Sequence, residues 1–381
     1  MAAAPNWVKA CTVDELRAAG QLVVALERAP RLALFWHEDR PWAIGNTCNH
    51  RGGPLAGGRL HGEYVMCPWH AWEYSIKTGK GPPPYDEEAV ASYACEVRKA
   101  AEVRGADEIW VDLEPRSQRV VLRHPPHPLA RPVQIEPHER PRVLGLATTA
   151  MDKDNPRFST SDHLLEHALE HAGKECGAET RLIRLRELAF RECEGNYSKA
   201  ARACTWPCAI TERDPDDQLA PVYEGLVHWC DVVLVATPIR WGQPASLYTK
   251  MVERMNCVQN QVTIASKVLI QRKVAAFIIT GGQDNIQMVA GEMLTFFGEL
   301  GFVFPQFPFI AHSRGWSAED MERNVRFVQA SDELRAGARE LVARAVLTAQ
   351  HLHMPGHFER GGRKADGADS AEDQPTADVA G

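Results

Sequence analysis

Apolar positions change rhythm twice along this chain. From Trp7 to about Leu113 they come in short runs: Leu22-Val-Val-Ala-Leu, Leu32-Ala-Leu-Phe-Trp, Trp42-Ala-Ile and Ile109-Trp-Val-Asp-Leu, separated by Gly, Pro, Asp and Asn. Runs of this length bounded by turn residues predict strands of an antiparallel barrel or sandwich, a first domain over residues 5–113. Residues 114–141 then carry Pro115, Pro125, Pro126, Pro128, Pro132, Pro137 and Pro141 among Arg and His, which predicts a partly extended linker. His124, His127 and His138 read there as solvated linker residues. A flexible chain of that length spans about 25–30 Å root-mean-square, enough to carry the first domain over a site on its own second domain or on a partner subunit.

From residue 142 to 353 strands and helices alternate. Val143–Ala147, Arg181–Leu185, Asp231–Ala236, Val274–Ile279 and a strand opening at Phe302 are separated by helices over Asp162–His171, Ala245–Met255 and Ile286–Leu300. Ser317, with Asp320 completing a capping box, starts one long closing helix. Continuous apolar strands between helices predict a parallel sheet covered on both faces, a three-layer α/β domain. Residues 354–381 are rich in Gly, Ala, Asp and Pro with few large apolar side chains, which predicts disorder.

Composition bounds the function. With 381 residues and 44 % hydrophobic content, two domains with sizeable cores are expected. A net charge of −7 argues against nucleic acid or an anionic membrane as partner. No apolar run approaches ~18 residues, so no membrane-spanning helix is expected. Residues Met1 to Trp7 lack a basic region followed by an apolar core, so no secretory signal is read. Ten irregularly spaced cysteines suggest metal sites and buried thiols over a disulfide framework. The expected compartment is the cytoplasm.

The first chemistry lies in two short loops, Cys48-Asn49-His50-Arg51-Gly52-Gly53-Pro54-Leu55 and Cys67-Pro68-Trp69-His70. Each offers one thiolate and one imidazole. A structural zinc module is the alternative, but such modules usually open on a Cys-x(2–4)-Cys knuckle, which neither loop has. The pair resembles the Rieske [2Fe–2S] ferredoxins. That resemblance implies an all-β Rieske fold, with Cys48 and Cys67 on one iron and His50 and His70 on the other. Thr12-Val13-Asp14-Glu15-Leu16 resembles the short helical entry of the same proteins. High-potential Rieske proteins add a cysteine to each loop; here neither loop has a spare one, and Ala71-Trp72 follows His70. Fewer hydrogen bonds to cluster sulfur favour the low end of the Rieske range, about −150 mV. Cys11 and Cys95 lie outside the loops and read as buried thiols.

The second chemistry lies at the carboxyl ends of the parallel strands, where open α/β sheets bind ligands. Thr148-Thr149-Ala150-Met151 and Phe158-Ser159-Thr160-Ser161 run into a helix, and hydroxyls with free N–H groups at a helix start make a phosphate cradle. Thr237-Pro238-Ile239-Arg240-Trp241-Gly242 follows the third strand, with Lys250 beyond it. Thr280-Gly281-Gly282-Gln283 follows the fourth, where glycines let the backbone approach a flat ligand. These loops resemble the NAD(P)H-dependent FMN reductase and iron–sulfur flavoprotein branch of the flavodoxin-like superfamily. The resemblance implies strand order 2-1-3-4-5 and an FMN site built from Thr149, Ser159, Thr160, Ser161, Pro238, Ile239, Arg240, Trp241, Gly242, Gly281, Gly282 and Gln283. Arg240 stands where that family often has an aromatic. The excursion from Cys193 to Gln218, with Cys193, Cys204 and Cys208, lies where iron–sulfur flavoproteins carry a cluster motif. Ordinary or redox-active thiols are expected there, with a second cluster as the alternative, and the excursion is expected to cap the flavin or pack at a subunit contact. His163, His167 and His171 share one helix face, opposite the apolar stripe, and read as solvated.

A hydride acceptor beside a one-electron carrier predicts an oxidoreductase. The first expectation is a flavin-dependent reductase moving electrons between NAD(P)H, FMN and the [2Fe–2S] cluster, delivering them to a partner protein or a small-molecule oxidant. The alternatives are reduction of a small organic acceptor such as a quinone or nitro compound, fed by an external donor through the cluster, and a non-enzymatic carrier or redox sensor. No catalytic acid or base can be named from the sequence. The family resemblance implies a homo-oligomer, dimer or tetramer.

Overall fold

A computed structural model describes residues 6–26, 30–69, 71–83, 85–99, 106–122, 127–195, 204, 206–281, 285–315 and 317–354. The chain divides into two compact units. The first gathers Met1–Pro132, Ala189–Pro221 and Lys250–Leu269; the second gathers Val133–Leu188, Val222–Thr249 and Ile270–Gly381.

In chain order the elements are β1 (Trp7–Thr12), α1 (Val13–Ala19), β2 (Gln21–Val24), β3 (Leu32–His37), β4 (Arg40–Gly45), β5 (Arg59–His61), β6 (Tyr64–Met66), β7 (Glu73–Ser75), β8 (Ser92–Arg98) and β9 (Glu108–Ser117). There follow β10 (Arg142–Ala147), α2 (Thr160–Lys174), β11 (Glu179–Arg184), α3 (Ala209–Arg213), α4 (Ala220–Tyr223), β12 (Val232–Pro238), α5 (Ser246–Arg254) and α6 (Asn256–Ala265). The last are β13 (Val274–Gly281), α7 (Ile286–Leu300), β14 (Phe309–Ser313), α8 (Ala318–Ala330) and α9 (Asp332–Leu352).

The first unit is built on antiparallel sheets, one ordered β1-β9-β8-β4-β3-β2 and one β5-β6-β7. Side chains of a strand alternate between faces, and β3 uses both. Leu32 and Leu34 pack with Val13, Leu16, Ala43, Ile109 and Val111. Ala33 and Phe35 pack with Ile44, Leu55, Val65 and Tyr74, the core that also contains Cys48 and Cys67. Thr12 and Glu15 close α1 with a reciprocal capping box, fixing the turn out of β1.

The excursion read as a flavin cap or subunit contact belongs to this first unit. Its anchor is a buried ion pair. Arg254 Nη1 and Nη2 each donate to Asp217, over 2.8 Å to Oδ1 and 2.8 Å to Oδ2, and both side chains are fully buried. Arg254 also donates to Arg191 O and to Thr211 Oγ1 of α3, over 2.8 and 3.0 Å. Fork-to-fork geometry, with both Nη groups making a further bond each, is the arrangement that makes a buried pair tolerable.

The second unit is a five-stranded parallel sheet ordered β11-β10-β12-β13-β14, that is, second, first, third, fourth and fifth along this part of the chain. Val232 to Ala236 are all fully buried, as a central parallel strand requires. Val232, Leu234 and Ala236 face α2 and α9 with Leu165, Ala168, Leu341 and Ala345. Phe277 turns to the other face, against Phe297 of α7 at 5.4 Å between ring centroids. The layers are thus helix, sheet, helix, the flavodoxin-like arrangement.

Two expectations are corrected. The fifth strand begins at Phe309, not Phe302; Val303 makes a single bridge to Val274, and Pro305 and Pro308 interrupt the ladder because neither has an N–H to donate. The closing helix is two helices. The Ser317–Asp320 box caps α8 as expected, but Ser331 turns extended (φ −78°, ψ 107°) and caps α9 by accepting from Leu334 N.

Candidate redox sites

The first site grows from the loops at β4–β5 and β6–β7. Each loop is closed by its own backbone: Cys48 N donates to Gly53 O and Gly52 N to Cys48 O, while Cys67 N donates to Trp72 O and Ala71 N to Cys67 O. Cys48 and Cys67 are almost wholly buried and share a hydrogen bond. That bond, then burial, pushes the Cys48 thiol well above its ordinary range. Two thiols held face to face in an apolar core cannot both ionise unless a cation lies between them. Such a donor set fits iron.

Gly53 shows the same cradle from the other side. A Cβ there would stand 2.6 Å from Cys67 Sγ and 3.2 Å from the Trp69 ring, so only glycine lets the first loop close over the second thiol. Tyr74 is a contributor that the sequence reading missed. Its hydroxyl lies 3.9 Å from Cys48 Sγ and accepts from Asn49 N over 3.3 Å; nothing in the pattern of β7 marks it, since its neighbour is distant in sequence. His50 stacks on Trp72 with ring centroids 5.2 Å apart, and its Nε2 lies 3.6 Å from Glu212 Oε2 of α3. His70 lies outside the described residues.

The Cys193–Gln218 excursion keeps its described thiols in ordinary surroundings, with one exception. Burial raises Cys204 to about 12. Cys208 is pulled down to about 5, first by a hydrogen bond from Cys257 and then, against the cost of burial, by the Arg254 guanidinium. Among the described residues no group of three or more His, Cys, Asp or Glu is arranged to hold a metal ion.

The second site lies at the carboxyl ends of β10, β12 and β13. Ser159 caps α2 by accepting from Asp162 N. Thr149 Oγ1 lies 3.0 Å from Ser159 Oγ and 3.1 Å from Ser161 Oγ, and donates to Asp162 Oδ1 over 2.7 Å. Thr160 Oγ1 meets Thr280 Oγ1 at 2.7 Å. An acid beside a phosphate cradle would repel its ligand, but Arg186 Nη1 neutralises Asp162 at 2.5 Å. Hydroxyls and open first-turn N–H groups then leave a site suited to an anion.

A cavity of about 620 Å³ opens on this cradle, lined by Thr149, Ser159, Thr160, Pro238, Ile239, Arg240, Trp241 and Gly281. Its size falls within the range of cofactor pockets. Arg240 and Gln243 close a tight turn by mutual backbone bonds, with Trp241 and Gly242 both left-handed (φ 52° and 71°). That turn projects the indole outward, 90 % exposed. Ser161 is buried against Thr149 and does not line the cavity, and Gly242 faces Asn285. Gly282 and Gln283 lie outside the described residues. Lys250 pairs with Glu192 in the first unit. Met151, Arg157, Phe158, Glu322, Asn324 and Val325 complete the lining. The last three come from α8, which no motif of the sequence connects with the loops.

His163 and His167 are half-buried and meet edge to face at 4.6 Å, with His163 also against Phe158. Burial lowers the His163 pKa, so this flank of α2 is less solvated than expected.

Residues 6–94 match the family model of the Rieske [2Fe–2S] domain, and residues 142–316 that of NADPH-dependent FMN reductase. Together with the two sites they define an electron-transfer oxidoreductase with a [2Fe–2S] centre and a flavin centre. Over 82 residues the chain is 35 % identical to the biphenyl dioxygenase ferredoxin subunit of Pseudomonas sp. (strain KKS102), covering 21 % of this chain and 74 % of that protein. The chain belongs to the Rieske [2Fe–2S] ferredoxin family, joined in one polypeptide to an NADPH-dependent FMN reductase domain. It is also 30 % identical over 75 residues to the ferredoxin component of the naphthalene 1,2-dioxygenase system of Pseudomonas putida, covering 20 % of this chain and 71 % of that one. Among solved structures, RosB with bound 8-demethyl-8-formylriboflavin-5'-phosphate aligns over 56 % of this chain and 80 % of that one, at 20 % identity and a TM-score of 0.45. No described helix is long and apolar enough to cross a membrane.

Proposed function

We propose that this chain is a cytoplasmic NAD(P)H-dependent reductase whose flavin site exchanges electrons with its own [2Fe–2S] site. The observation that carries the reading is the cavity at the sheet's carboxyl end, whose floor is a hydroxyl cradle and whose wall is glycine and a tight Pro238–Gly242 turn. When bound, FMN takes hydride from a nicotinamide and the cluster takes single electrons, so the pair converts two-electron into one-electron chemistry. Ser159, Thr160 and the first turn of α2 hold the phosphate. Pro238, Ile239 and Gly281 shape the slot for the flat ring, while Arg240 and Trp241 stand at its rim. Cys48, Cys67, His50 and His70 hold the irons. All ten cysteines are free thiols, which suits a reducing compartment.

Rapid-mixing spectroscopy tests this directly. Anaerobic NADPH or NADH should bleach the flavin absorbance first and the cluster absorbance afterwards; no reaction with either nucleotide sinks the proposal. A second reading, reduction of a small organic acceptor at the same cavity, is favoured by Arg157 and Arg240, two guanidiniums that suit an anionic group on a flat molecule. Product formed from a quinone or nitro compound under turnover would establish it. A homo-oligomer is also proposed, for which the outward Trp241 is the contact to measure by light scattering.

Gly281 offers a sharper check on the cavity. A Cβ at this position would stand 2.8 Å from Ile239 Cβ and drive that side chain into the slot. Gly281→Val should weaken FMN binding at least about tenfold, ~1.4 kcal/mol, measured by fluorescence titration of the apoprotein.

A further inference from the structure

The carboxylate of Glu212 is in an expensive position. Its side chain is 15 % exposed, and Oε2 is buried without a hydrogen bond among the described residues. Burying a carboxylate oxygen without a partner costs free energy that nothing else in α3 offsets. Nε2 of His50 lies 3.6 Å away, a separation that a small rotation of either side chain closes to a hydrogen bond. With Nε2 turned to Glu212, the ring nitrogen left for iron is Nδ1.

The contact is held from both sides of Glu212. Thr211 donates to Asp217 Oδ2 over 2.7 Å and accepts from Arg254 over 3.0 Å. Arg213 Nη1 donates to Ala71 O in the second cluster loop over 3.2 Å, and Tyr85 Oη donates to Arg213 O over 2.9 Å. Trp72, whose ring lies against His50, also neighbours Tyr85 at 6.0 Å between centroids. The imidazole is thus flanked by an aromatic face and by a carboxylate 3.6 Å from its Nε2. Ligating histidines gain orientation and basicity from such a carboxylate. A negative charge there also favours the oxidised, more positive state of the iron that the ring would hold.

We propose that Glu212 is a positioning residue for His50: it accepts the Nε2 proton, fixes the ring so that Nδ1 meets iron, and lowers the reduction potential of the cluster. The proposal rests on the assignment of His50 as a cluster ligand. The full chain should be purified with its cluster, and its potential read by redox titration monitored by electron paramagnetic resonance. Glu212→Gln keeps the shape and removes the charge. It should leave the iron content and the signal shape of the cluster intact while favouring reduction about tenfold, which for one electron is ~59 mV upward. Glu212→Asp, which restores the charge, should recover part of that shift. An unchanged potential in a loaded Glu212→Gln protein overturns the proposal. The wild-type protein gives an independent reading, because pulsed resonance of the remote ring nitrogen of His50 should carry the coupling of an imidazole bonded to a carboxylate. A coupling that is the same in wild type and Glu212→Asp as in water-bonded imidazole overturns it even where Glu212→Gln does not load. Absence of any Rieske signal in the wild type overturns both this proposal and the ligand assignment, and so separates the two failures.

Discussion

Cys67→Ser will abolish the Rieske resonance signal and the bound iron while leaving FMN in place. Cys67 sits in the same closed core as Cys48, Leu55, Val65 and Tyr74, and its sulfur is the one that Gly53 makes room for. A serine oxygen is too hard and too weakly acidic to replace a thiolate on iron, and with one ligand gone the other three cannot hold the cluster. The residues of the flavin cradle belong to the other unit, so flavin content should remain near the wild-type value. The melt of the first unit should fall as well, because metal-binding free energy is also folding free energy. Iron and flavin analysis of the same preparation reads both; iron retained at the wild-type level would remove Cys67 from the ligand set.

Asp217→Ala will destabilise the first unit by about 3–5 kcal/mol. Asp217 and Arg254 have no exposed side-chain surface and are joined by two bonds of 2.8 Å. Removing the carboxylate strips the guanidinium of its counter-charge in a place that water does not reach, which is far more costly than the pair was favourable. Cluster absorbance followed through urea or heat is the proper probe, since it reports on the unit that contains Asp217. Replacing both partners, Asp217→Leu with Arg254→Met, should recover most of the loss, because an apolar pair of similar volume leaves no charge to solvate. A melt unmoved by Asp217→Ala would mean that the pair does not hold the excursion in place.

Where burial is repetitive, the fold could be read directly from residues. Val232 to Ala236 and Val274 to Ile279 are apolar without a break because both faces of a central parallel strand are covered. The hydroxyls of Thr149, Ser159 and Thr160 marked the cradle because a helix start needs acceptors and an anion needs donors at the same place. Where a contact joins distant stretches, nothing local announces it. Glu212 looks like one acid among many until α3 is set against His50, and Glu322, Asn324 and Val325 look like ordinary helix residues until α8 is set against the cavity. Punctuation was misjudged for a different reason. Pro305 and Pro308 delay β14, and Ser331 splits the closing helix, because single residues with missing donors or competing hydroxyls outweigh the apolar pattern around them.

The first unit is assembled from three stretches of chain, the last of them Lys250–Leu269. On the ribosome, the two cluster loops emerge long before α3, Asp217 or Arg254 exist, and domains generally fold in the order in which they are made. The core around Cys48 and Cys67 is built from residues 33–90 alone, whereas the Glu212 carboxylate beside His50 comes from a much later stretch. A chain cut at the proline-rich stretch would keep both thiols in their core and lose the carboxylate that stands beside His50.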